Sequence, residues 1–370
     1  AAYEMMLRIR DKLQKNNLID QVNRIDKAYI TTFDSFALSI VMKYHDRLNL
    51  KKEVTIIDEH AITFLKSEIL NQIFDDYYWN KDSKFLSLIA DFSLRDDKEL
   101  KQYILSISDK MDLKYDKEKF LNDYVKKFYD PKTVNKRVTE YENLLLEKIK
   151  QIEYSLKEIE LSIDGEYYQK FSEVLTPLLN AHNYDEIKEL VDIQLPRLPQ
   201  GSDSIVKKQK DSIKKGIEEL TEMCSFESRE QMITDYYDTK NNIEVIIDIV
   251  QKLDIEIQKY KYKYNSFEFI DISKLAIQLV EKYADIRKEL TEYFNEIMID
   301  EYQDTSDLQE QFIRLIENNN VYMVVDMKQS IYRFRNANPQ IFKQKYDMYA
   351  KRKDGIKIDL NKNFRSRKEY

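Results

Sequence analysis

Glu-Ile-Met-Ile-Asp-Glu-Tyr-Gln-Asp-Thr (296–305) runs three apolar residues, Ile297 to Ile299, straight into two adjacent carboxylates, Asp300 and Glu301. A short apolar run of this kind predicts a strand buried on both faces. The carboxyl end of such a strand is where an α/β sheet places its ligands. Two acids at that point are costly unless a cation or a water uses them. One can hold Mg²⁺ and the other can orient or deprotonate a water that attacks a phosphate. A lone acid pair has a second reading, as a strand end entering a helix N-terminus, where acids suit the dipole. Further on, Val321-Tyr322-Met323-Val324-Val325 predicts a second strand, ending in Asp326 and followed by Lys328-Gln329-Ser330-Ile331-Tyr332-Arg333-Phe334-Arg335.

The chain has 370 residues, enough for two or three domains. Only 4 Gly and 5 Pro, with 34% charged residues, point to long helices and few tight turns. A single cysteine, Cys224, excludes a disulfide framework, and three scattered histidines, His45, His60 and His182, argue against a zinc site. No apolar run approaches the roughly eighteen residues that span a membrane. No charged-then-apolar leader opens the chain. The expectation is a cytoplasmic protein without membrane contact. Net charge is −7, but it is unevenly spread: residues 321–370 hold thirteen Lys/Arg against five Asp/Glu, a local excess of +8 over a body at −15. A basic end on an acidic body suits a local phosphate-contacting surface.

Residues 1–15 predict a helix with Ala1, Met5, Ile9 and Leu13 on one face. Ala28-Tyr29-Ile30-Thr31-Thr32-Phe33 is rich in β-formers and predicts a strand. A helix carrying Phe36, Ile40 and Tyr44 should follow, with Asp34 as its N-cap. From about 49 to 264 nearly everything is helical in pattern. Tyr141, Leu145, Ile149, Ile152, Leu156, Ile159 and Ile163 alternate steps of four and three, the stripe of one long amphipathic helix. Leu195-Pro196-Arg197-Leu198-Pro199-Gln200-Gly201-Ser202 predicts a loop. Lys207, Lys208, Lys210, Lys214 and Lys215 cluster on one helix, as a solvated face or a duplex-phosphate grip. Trp79 with Tyr77 and Tyr78, and the tyrosines of 260–264, are expected in core packing. Phe267 to Val280 leads back to the sheet, and Ile356 to Leu360 predicts another strand.

D-E-Y-Q-D-T at 300–305, D-x-K-Q-S-I-Y-R-F-R from Asp326 to Arg335 and N-F-R-S at 363–366 together resemble motifs II, III and IV of the UvrD/Rep helicases, in the dialect of the AddA/RecB branch. Thr32-x-x-Ser35-Phe36 resembles the family's Thr-x-His-Ser-Phe, with Asp34 in place of His. Phe269-Ile270-Asp271-Ile272 resembles its Phe-Asp-Asp-Leu, with Ile270 replacing the first Asp. Val325 stands where the family carries Gly. The opening Ala-Ala-Tyr-Glu-Met resembles the tail of a Thr-Asn-x-Ala-Ala-x-Glu-Met motif. That places the glycine-rich phosphate loop upstream; no G-x-x-x-x-G-K-[ST] occurs within these residues.

The resemblance implies an α/β fold: a RecA-like parallel sheet of the P-loop NTPase type, its phosphate loop missing here, with a large all-α insertion domain. The first RecA-like domain would take 1–48 and 265–353, the insertion 49–264, and the start of a second RecA-like domain 354–370. It implies ATP and Mg²⁺ as cofactors. Asp300 would coordinate the metal with Glu301 beside it, and Glu301 would be the general base. Gln303 and Asp304 would secure the strand end and link it to neighbouring motifs. Gln329 would sense the γ-phosphate, and Arg365 would act as an arginine finger. Thr32, Ser35, Phe36, Tyr332, Phe334 and Arg335 would contact DNA, hydroxyls on phosphates and rings on bases.

The implied parent is an ATP-dependent 3′-to-5′ DNA helicase or translocase, part of a helicase–nuclease acting in double-strand break repair and recombination. Its partners would be single-stranded and duplex DNA and a second helicase–nuclease subunit. These 370 residues alone are expected to hydrolyse ATP only at background rate. The alternative is a non-catalytic DNA-binding or assembly module derived from a helicase.

Overall fold

The computed structural model describes residues 2–92, 96–161, 163–326 and 338–360. Its main elements run, in chain order, α1 (Ala2–Lys15), α2 (Phe33–Lys43), β1 (Thr55–Ile56), α3 (Glu59–Asn80), α4 (Lys98–Asp112), α5 (Pro131–Glu160), α6 (Gly165–Leu179), α7 (Ser204–Met223), α8 (Lys240–Tyr264), β2 (Ser266–Phe267), α9 (Phe269–Lys282), β3 (Ile297–Ile299), α10 (Asp307–Ile316), β4 (Val321–Met323) and α11 (Pro339–Ala350). Two compact units result. One takes residues 1–76, 98–117 and 250–370; the other takes 77–97 and 118–249.

In the first unit the described strands form two two-stranded parallel sheets, β1 with β2 and β3 with β4. The core lies between α2, α9 and α10. Ala37, Ile40 and Val41 meet Ile272, Ala276 and Leu279 of α9, and Leu308, Phe312 and Ile316 of α10. Beside α9 sits an ion network that apolar patterning gives no hint of. Lys261 is only 2% exposed and pairs with Glu268 at 2.7 Å and Asp271 at 2.5 Å. Lys66 reaches Asp109, Asp112 and Glu268, while Lys117 reaches Asp112 at 2.8 Å and Asp254 at 2.7 Å. Buried charges persist only when paired in this way. Burial pushes the Asp112 carboxyl up, but Lys117 and Lys66 outweigh it and hold it below its usual range. Asp271 also accepts from the Glu268 backbone at 2.9 Å and so secures the start of α9.

The second unit is built on α5. Asp130 caps it through the Lys132 and Thr133 amides, and Pro131 starts it, where a missing N–H costs nothing. Leu145, Ile149, Ile152, Leu156 and Ile159 form the expected stripe. They pack on Phe171, Leu175 and Leu178 of α6 and on Ile213, Ile217 and Leu220 of α7. Gly216 lets α7 approach closely: a Cβ there would sit 2.8 Å from Ile152 Cγ1. Residues 195–199 lie outside helix and strand, as the two prolines predict.

Several local expectations fail. Residues 28–32 are not a strand; the chain bends and enters α2 at Phe33, because Thr32 caps that helix. β3 is not buried on both faces: Met298 is 71% exposed, since the described sheet has one partner strand and cover on one side. Residues 356–360 carry no strand assignment, and Ile356, Ile358 and Leu360 are exposed. α1 forms but buries none of its residues. Trp79 is 87% exposed, whereas Tyr77 is buried and stacked on Phe85 at 4.8 Å. Tyr262 and Tyr264 are about half exposed, at 48% and 55%.

Candidate active site

β3 delivers its acids as a strand end should. The parallel register sets Ile299 opposite Met323, so Asp300 and Asp326 emerge at the same end of the pair. Asp300 Oδ1 accepts from the Glu301 amide at 3.0 Å, which closes a tight turn. Glu301 itself takes φ 51°, ψ 41°, the left-handed region that non-glycine residues rarely occupy. The chain then makes a single 3₁₀ turn, Tyr302–Asp304, before Ser306 and Gln309 form a reciprocal capping box on α10. Both Asp300 and Glu301 are exposed and open to solute.

Gln303 is 1% exposed and links the two strand ends. Its Oε1 accepts from the Asp326 backbone N–H at 3.1 Å. A backbone N–H can only donate, so the amide nitrogen must face the other way, where it donates to the Glu301 carboxylate. Tyr302 N–H donates to Val324 O at 3.0 Å and ties the same two segments once more. Beneath them Tyr302 is buried against Ile313 and Phe342, and its hydroxyl donates to Glu310. Glu310 also receives Arg314 Nε at 2.7 Å and Lys345 Nζ at 2.9 Å. Burial pushes the Glu310 carboxyl up, but these three donors outweigh it and hold it below its usual range.

Among the described residues no cluster of three or more His, Cys, Asp or Glu forms a closed metal cage. Mg²⁺ does not need one: it binds through one or two carboxylates and completes its shell with water and phosphate oxygens. The exposed, hard oxygens of Asp300 fit that demand.

On α2, Thr32 rather than Asp34 is the N-cap: its Oγ1 accepts from Ser35 N–H at 3.3 Å and donates to Ser35 Oγ at 2.9 Å. Both hydroxyls are exposed. Asp34 is half-buried, and burial pushes its carboxyl up. Phe36 packs edge-to-face with Tyr29, Phe294 and Phe312 at 5.3, 5.7 and 5.9 Å. Gln329, Tyr332, Phe334, Arg335 and Arg365 lie outside the described residues. The contributions of Glu310, Lys345 and Asn338 escaped sequence reading; only Asn338-Pro339, a helix-start signal, was there to be seen.

Residues 1–350 match the UvrD/REP helicase N-terminal domain family. The chain belongs to that family. Its relatives include proteins named as ATP-dependent helicase/nuclease subunits. That of Clostridium beijerinckii is 30% identical, with all of this chain and 33% of the relative covered. Those of Clostridioides difficile and Anoxybacillus flavithermus are 28% and 27% identical, again over all of this chain and 33% and 34% of the relative. This UvrD/REP chain therefore spans about a third of the length of the curated relatives it matches. Among its described residues no helix is long and apolar enough to cross a membrane.

Proposed function

We propose that this UvrD/REP chain carries the nucleotide-hydrolysing acids of an ATP-dependent motor that moves 3′-to-5′ on single-stranded DNA. The motor would serve within a two-subunit helicase–nuclease for break repair and recombination. The observation that carries the reading is the Gln303 amide, bonded at once to Glu301 and to the start of the stretch that follows β4. We read β3 and β4 as part of a RecA-like sheet, residues 49–264 as its helical insertion and 354–370 as the start of a second RecA-like domain.

In this reading Mg²⁺ would supply positive charge to the nucleotide's phosphates, and Asp300 would be the carboxylate that holds it. Glu301 orients the attacking water and takes its proton. The hydrogen bond from Gln303 keeps that carboxylate aimed. Gln329 reads the terminal phosphate, Arg365 offsets its developing charge, and Asp304 secures the turn behind Glu301. Thr32 and Ser35 present hydroxyls to DNA phosphates, while Phe36, Tyr332, Phe334 and Arg335 serve the bases and backbone. The relatives' names call them ATP-dependent, helicase/nuclease and subunit, which supports ATP, DNA and a further protein chain among the partners.

The test is ATP hydrolysis by the full-length protein, with and without single-stranded DNA, for wild type and Glu301→Gln. Loss of about 10²–10⁴-fold in turnover with ATP affinity retained is expected. Unchanged turnover in the variant would remove Glu301 from its role. The 370 residues alone should show background hydrolysis only.

A further inference from the structure

The geometry points to Asn338 as a positioning residue that fastens the start of α11 to the acidic turn. This rests on the function proposed above. Residues 303–307 hold both flanks of the 327–337 stretch. On the near flank Gln303 Oε1 takes the Asp326 N–H at 3.1 Å. On the far flank the Asn338 N–H donates to Thr305 O at 3.1 Å, and Asn338 Nδ2 donates to Asp307 Oδ1 at 2.8 Å. Asn338 Oδ1 meanwhile accepts from Gln340 N–H at 3.1 Å and caps α11.

Capping alone does not account for this side chain. A cap needs only the oxygen, and Asp serves as well as Asn in that role. What Asn adds is Nδ2, and Nδ2 is spent on Asp307, the first residue of α10 and six positions after Glu301. Its acceptor is a carboxylate, so the bond is charge-assisted, at an exposed position. Lys345, two turns further along α11, repeats the connection by pairing with Glu310, one turn along α10. The turn that aims Glu301 is thus bonded both to Asp326 and to Asn338, the residues on either side of 327–337. Asn338 sets the distance between that turn and α11 without touching nucleotide or DNA.

Asn338→Asp separates the two roles. It keeps the cap but replaces the donor with a carboxylate facing Asp307. In the full-length protein the DNA-stimulated turnover should fall about tenfold while the KM for ATP stays within about twofold. Asp307→Asn alone should remain near wild type, because Asn338 can still donate to the new amide oxygen. The double variant Asn338→Asp/Asp307→Asn restores the bond with its polarity reversed and should recover turnover to within about twofold of wild type. Full turnover in Asn338→Asp would reduce the residue to a helix cap and overturn the inference. Failure of the double variant to recover would also overturn it. If wild-type hydrolysis is indifferent to DNA, the function proposed above fails, and this inference fails with it.

Discussion

Lys345 of α11 places its ammonium 2.9 Å from Glu310 of α10, and both side chains are buried. The pair fastens α11 under the turn that carries Glu301. Lys345→Met would leave Glu310 buried with Tyr302 and Arg314 only. Removing one partner of a buried pair costs about 3–5 kcal/mol, and the remaining donors put the expectation near about 3 kcal/mol. Glu310 titrates below the usual 4.5 in the folded chain, so its stabilisation is present above that value and is lost as pH falls through the folded pKa. Urea unfolding should therefore show the gap between wild type and Lys345→Met widest at neutral pH and closing below about 4.5.

Gln303→Glu would keep an acceptor for Asp326 N–H but set a second carboxylate against Glu301. The donor that aims Glu301 would be replaced by a repelling charge. DNA-stimulated ATP hydrolysis by the full-length protein should fall at least about tenfold, and unchanged turnover would remove Gln303 from its aiming role. Gln303→Ala, which removes the donor but adds no charge, should lower turnover less.

Thr32→Asp separates the helix cap from a DNA contact. Asp caps as well as Thr, so thermal unfolding should be unchanged. A new anion beside a phosphate costs about 1 kcal/mol at 4 Å in water, so affinity for an oligothymidine, read by fluorescence anisotropy, should fall roughly fivefold. Equal affinity would mean that this helix start lies away from DNA.

Gly216→Val tests the α5–α7 contact. Its branched side chain must enter the space of Ile152, whose Cγ1 already lies 2.8 Å from an ideal Cβ at this position. Overpacking of this kind costs about 1–3 kcal/mol. Gly216→Val/Ile152→Ala should recover part of the loss in urea unfolding of the second unit.

The features legible beforehand are those whose signal is local. The α5 stripe from Leu145 to Ile159 follows from spacing alone, and the acids at 300 and 301 stand out because an apolar run ends on them. What escaped depends on distant partners. Lys117 finds Asp254 from 137 positions away, and Lys66 finds Asp109 from 43. No periodicity carries such pairs. Residues 28–32 misled because β-propensity ignores the hydroxyl of Thr32, which turns the chain into α2. Trp79 misled because size predicts burial only when a neighbouring surface is available to cover it.

On the function proposed above, the left-handed backbone at Glu301 sets stability against catalysis at a single codon. Holding a side chain there costs about 1–3 kcal/mol, a strain that glycine escapes. A lineage selected only for surviving heat would drift toward glycine at 301 and become sturdier as its hydrolysis died.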